Sequence, residues 1–118
     1  MAASRILVIA PELDMRHSLQ FVLEAEGYTV TPRPRIDHEG ERADGHFDVT
    51  VIDHRALAGP QHRAIEYCES RRPVVLLSSR PIAWLSAHVA HHVEKPVTGD
   101  AVVAAVHGLL HDKPPRRH

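Results

Sequence analysis

Asp48-Val49-Thr50-Val51-Ile52-Asp53 is the stretch that decides the fold. Its centre, Val49 to Ile52, is β-branched throughout, is too short for an independent helix, and reads as a strand covered on both faces, as in a parallel sheet. The run closes on a carboxylate, Asp53, where the chain leaves the sheet. Two runs of the same character flank it, Ile6-Leu7-Val8-Ile9 before and Val74-Val75-Leu76-Leu77 after.

Between these runs the periodicity changes. Met15, Leu19, Val22 and Leu23 recur at helical spacing and predict an amphipathic helix stopping at Gly27, a residue suited to the left-handed turn after a helix. Tyr28-Thr29-Val30-Thr31 predicts a second strand. The polar stretch from Pro32 to Gly45 leaves room only for a short helix. Gly59 to Arg71 predicts a helix with Ile65 and Cys68 on one side. Ile82 to Ala90 predicts a shorter one, and Thr98 to Leu110 a last one through Val102, Val106 and Leu109. A fifth strand is expected near His92-Val93-Glu94. Strands alternating with helices imply right-handed crossovers, hence an α/β fold with a doubly wound, five-stranded parallel sheet and helices on both faces. The 118 residues suit one domain, taken as residues 1–112, with a flexible C-terminal tail at 113–118.

A formal charge of −1 provides no net field towards nucleic acid or an anionic membrane, and the Pro114-Pro115-Arg116-Arg117 tail reads as a solvated terminus. No apolar run approaches the roughly 20 residues that span a bilayer, so a cytoplasmic protein is expected. The single cysteine, Cys68, excludes an internal disulfide and reads as a small buried hydrophobe.

In an open parallel sheet ligands bind beyond the carboxyl ends of the strands. Ala10, Pro11 and Glu12 follow the first run, Asp53 ends the third, Ser78 and Ser79 end the fourth, and Lys95-Pro96 follows the fifth. A carboxylate, a hydroxyl and an ammonium therefore converge on one crevice. Taken in order, Arg5-Ile6-Leu7-Val8-Ile9, Asp48 to Asp53, Pro73-Val74-Val75-Leu76-Leu77-Ser78 and Glu94-Lys95-Pro96 resemble the receiver domains of response regulators over nearly the whole chain. The resemblance implies the flavodoxin-like receiver topology. It also implies that Asp53 matches the phosphoacceptor, that Ser78 and Lys95 match the phosphate contacts, and that the Lys95-Pro96 bond is cis.

Three departures accompany the resemblance. Receivers carry an acidic pair after the first strand, and Ala10 and Pro11 stand there; of the metal-site positions only the neighbouring Glu12 is acidic. Asp53 with Glu12 would hold magnesium weakly at best, so no cofactor and no bound metal are expected. The intervals from Asp53 to Ser78 and from Ser78 to Lys95 are shorter than usual, which predicts shortened third and fourth helices. His92, a titratable ring, occupies the position of the aromatic switch residue.

The expectation is an atypical receiver, a protein-interaction module of bacterial signal transduction and not an enzyme. Its partner would be a histidine kinase or a downstream effector, met through Trp84 and Leu85 on the face of the fourth helix, fifth strand and fifth helix. A homodimer through that face is a family-level expectation. Two alternatives stand beside it: a working phosphoacceptor modified on Asp53 by a histidine kinase, and a phosphatase of the haloacid dehalogenase type, which needs a second acid where Arg55 stands. A flavodoxin would need a glycine- and hydroxyl-rich loop in place of Ala10-Pro11-Glu12-Leu13-Asp14. Among eleven histidines, His88 and His92 would share a face only if the fourth helix ran that far, and His91 adds no closed metal site. His54, beside Asp53, would shield the crevice or face solvent.

Overall fold

The computed structural model describes residues 3–111; the expected tail, 113–118, lies outside them. The elements run β1 (Arg5–Ile9), α1 (Leu13–Ala25), β2 (Thr29–Arg33), α2 (His38–Asp44), β3 (Val49–Asp53), a 3₁₀ turn (His54–Ala56), α3 (Gln61–Ser70), β4 (Val74–Ser78), α4 (Ala83–Ser86), β5 (His91–Glu94) and α5 (Gly99–His111). The five strands form one parallel sheet in the order β2-β1-β3-β4-β5.

The apolar runs behave as doubly covered strands should. Ile6, Val8, Val49, Val51, Val75 and Leu77 face α1 and α5, where Leu19, Leu23, Val102 and Val106 meet them. Their alternates Leu7, Ile9, Ile52, Val74 and Leu76 face Phe47, Tyr67, Cys68 and Leu85 on the opposite side. Helix α1 ends as expected, with Gly27 at φ +95° two residues after Ala25.

Cys68 is fully buried in the second cluster, and burial pushes its thiol up to about 11. A thiol reagent at neutral pH is therefore expected to label Cys68 only as fast as the chain unfolds. Rapid stoichiometric labelling of the native protein would contradict this placement.

Two elements differ from their sequence expectation. Strand β2 runs on through Pro32 to Arg33. The Thr29 N–H donates to the Ser4 carbonyl, and the Arg33 carbonyl accepts from the Ala10 N–H, so the odd-numbered residues face β1. Pro32 thus faces the open edge, where its missing N–H breaks no ladder bond. Helix α4 is a single turn, Ala83–Ser86, not a helix to Ala90. The Ala90 N–H already donates to the Val74 carbonyl, so the chain must turn into β5 before a second helical turn can form. At ten and four residues, α3 and α4 are the short elements that the tight intervals require.

The polar stretch before β3 conceals an anchor. Glu41 of α2 is fully buried; its Oε1 accepts from the Tyr67 hydroxyl at 2.7 Å and from Arg71 Nε at 3.0 Å, and its Oε2 accepts from the Asp37 N–H at 2.9 Å. Asp37 in turn caps α2 by accepting from the Gly40 N–H. One carboxylate therefore closes the helix start and ties α2 to α3.

Candidate functional site

The parallel register brings the carboxyl ends of β1, β3, β4 and β5 to one rim. Asp53, the last residue of β3, is fully buried. Lys95 follows β5 and reaches across, with Nζ 3.0 Å from Asp53 Oδ1 and 2.9 Å from Oδ2. Its stem is well covered, leaving the side chain 16% exposed. The Lys95-Pro96 bond is cis, as is Arg72-Pro73.

Asp53 has a second cationic partner that the sequence reading did not single out. It caps the 3₁₀ turn by accepting the Arg55 N–H at Oδ1, 2.9 Å away, while Arg55 Nη2 lies 3.1 Å from Oδ2. The signal was the Asp-x-Arg spacing itself, since a side chain that caps a turn draws the residue two positions on towards it. His54 Nδ1 lies 3.5 Å from Oδ1 without a hydrogen-bond partner, so His54 flanks the carboxylate. Burial pushes the Asp53 carboxyl up, but the hydrogen bonds from Arg55 and Lys95 outweigh it and hold the group below the usual carboxylate range.

Ser78 ends β4, buried, and turns to other partners. Its Oγ lies 2.6 Å from the Arg80 carbonyl and 2.6 Å from His92 Nε2. A hydroxyl has one proton and a carbonyl only accepts, so Ser78 donates to Arg80 and His92 donates to Ser78 through Nε2. The predicted switch position and the predicted hydroxyl are thus in direct contact. Ser78 meets Lys95 only through the backbone, its carbonyl accepting the Lys95 N–H at 3.0 Å.

Ala10 is fully buried, while Pro11 and Glu12 are exposed at the start of α1. Arg16 Nη1 donates to the carbonyls of Ala10 at 2.8 Å and Pro11 at 3.3 Å, placing a further guanidinium at this lip. A divalent cation of the kind receivers use does not fit this donor set. The side chains of Ala10 and Pro11 carry no ligand atoms, their carbonyls already accept from Arg16, and both Asp53 oxygens already accept from Lys95 and Arg55.

The remaining predicted residues separate. Trp84 is 39% exposed, but Leu85 is 1% exposed and fills the core beneath α4, so it is corrected from interface to core. A one-turn helix has one inward position, and Leu85 takes it. His88 and His92 share no helical face: His92 lies in β5, and His88 Nδ1 lies 2.6 Å from Glu69 Oε2 on α3. His91 is exposed on β5. Among the described residues no three His, Cys, Asp or Glu side chains are grouped to hold a metal ion.

No protein-family model matches the sequence, and no curated protein matches it. Solved structures do resemble it. The chemotaxis response regulator CheY4 of Vibrio cholerae is 13% identical with a TM-score of 0.74, over 92% of this chain and 99% of that one. A CheY-like receiver domain protein from Methanospirillum hungatei JF-1 is 16% identical with a TM-score of 0.75, over 94% and 96%. The HemR receiver domain of Leptospira biflexa is 20% identical with a TM-score of 0.74, over 97% and 99%. With the strand order and the helix placement described above, these likenesses establish that the chain has the receiver fold.

Proposed function

We infer that this chain is an atypical receiver module of bacterial two-component signalling, one that works in the cytoplasm by binding a protein partner without magnesium-dependent phosphorylation. The observation that carries the reading is the state of Asp53. The carboxylate that would accept a phosphoryl group is buried and bonded on both oxygens to Lys95 and Arg55, beside a lip where Ala10 and Pro11 replace metal ligands. A phosphoryl transfer relies on a cation to neutralise developing charge and on a carboxylate oxygen free to attack. Here the oxygens are engaged and the metal ligands are missing. Arg55 also stands where a phosphatase of the haloacid dehalogenase type needs its second acid.

The partner would be a histidine kinase or a downstream effector. The surface assigned to it is the face of α4, β5 and α5, with Trp84 as its exposed aromatic anchor. The same face would serve a homodimer. No helix among the described residues is long and apolar enough to cross a membrane.

Incubating the full chain with magnesium and a small phosphodonor, followed by intact mass measurement, is expected to leave the mass unchanged. A phosphate adduct that disappears in Asp53→Asn would overturn the reading in favour of a working phosphoacceptor.

A further inference from the structure

We propose that the Arg55 guanidinium takes over the charge role of a divalent cation at this crevice and keeps such cations out. The proposal rests on reading Asp53 as the acceptor-equivalent position. It adds a residue whose job is to set what the position can bind.

The argument begins with lone pairs. An ionised carboxylate offers about four acceptor directions. At Asp53 four short contacts use them: Arg55 N at 2.9 Å and Lys95 Nζ at 3.0 Å on Oδ1, with Arg55 Nη2 at 3.1 Å and Lys95 Nζ at 2.9 Å on Oδ2. A metal ion needs one of these directions, so a donor must leave first.

The charge balance points the same way. Arg16, Arg55 and Lys95 are three fixed cations close to Asp53 and Glu12, so positive charge already stands beside both Asp53 oxygens before any metal arrives. His54 beside Oδ1 adds no negative charge. A divalent cation would therefore meet repulsion where receivers present paired acids.

Arg55 is the donor that can be exchanged. Its side chain is 49% exposed on a short turn, whereas that of Lys95 is 16% exposed and threaded from β5 to β3. Removing the guanidinium leaves Asp53 neutralised by Lys95 alone, frees a direction on Oδ2, and removes one of the cations near Glu12. The half-exposed position also makes substitution compatible with folding.

Titrating the full chain with Mn²⁺, read by the paramagnetic resonance signal of the free ion, tests this directly. Arg55→Ala is expected to bind Mn²⁺ at least about tenfold more tightly than the unaltered chain. Arg55→Lys, which keeps the charge, is expected to exclude the ion as arginine does. The gain is expected to vanish in Arg55→Ala/Asp53→Asn. Equal affinity with and without Arg55, or a gain that persists without the Asp53 carboxylate, would overturn the role of Arg55. A phosphate adduct on Asp53 in the unaltered chain bears on the interaction-module reading alone, so the two can fail separately.

Discussion

Glu41→Ala is expected to destabilise the fold by about 3 to 5 kcal/mol, the range for removing one partner of a buried ion pair. The carboxylate is fully buried and accepts from three donors on two segments: Tyr67 and Arg71 of the α3 region and the Asp37 N–H at the start of α2. Deleting it strands the Tyr67 hydroxyl, whose pKa burial and the neighbouring carboxylate both push upwards, and leaves Arg71 without its counter-ion. Glu41→Gln should cost less, because the amide oxygen still serves Tyr67 while its N–H₂ opposes another donor. Urea denaturation of both variants gives the comparison through a shift in midpoint at constant slope. A loss below about 1 kcal/mol for Glu41→Ala would mean that α2 is not anchored through this group.

Lys95→Met is expected to cost about 2 to 4 kcal/mol at neutral pH, and the cost should depend on pH. In the unaltered chain the Asp53 pKa is depressed. Its contribution is therefore present above the unfolded value of about 3.9 and is lost as pH falls through the lower folded value. Without the ammonium, burial is opposed by Arg55 alone, and the folded pKa moves up from its depressed value. The deficit of the variant should then shrink as pH falls from the variant's folded pKa through the lower folded pKa of the unaltered chain, and only below the latter is Asp53 neutral in both proteins. Lys95→Met/Asp53→Asn should recover most of the loss at neutral pH, since it removes the buried charge that the lysine answered. A deficit that does not shrink at any stage of acidification, or one that the second substitution does not relieve, would show that Lys95 acts through packing and not through charge.

How far the fold was legible follows from where its information lies. The strands β1, β3 and β4 are β-branched or aliphatic runs whose alternate residues enter two cores, a property visible in four consecutive letters. The convergence of Asp53 and Lys95 follows from their places at strand ends. The length of α4 was not legible, because nothing local in Ile82 to Ala90 forbids a helix; the Ala90 to Val74 bond that stops it joins distant segments. Glu41 looked like one charge among many in a polar stretch, and only its burial against Tyr67 distinguishes it. Arg55 was visible as a letter but not as a partner, since its role depends on the turn that Asp53 caps. Leu85 and Trp84 are adjacent, and a single turn of helix decides which of them faces inward.

Pro32 has a consequence for how copies of this chain can meet. It points from β2 to the outer rim of the sheet, opposite the residues bonded to β1, so the row of amide donors along that rim is interrupted. An incoming strand from another copy would find a pyrrolidine ring where it needs a donor, and fibre-like growth from this edge is blocked at its first pairing step.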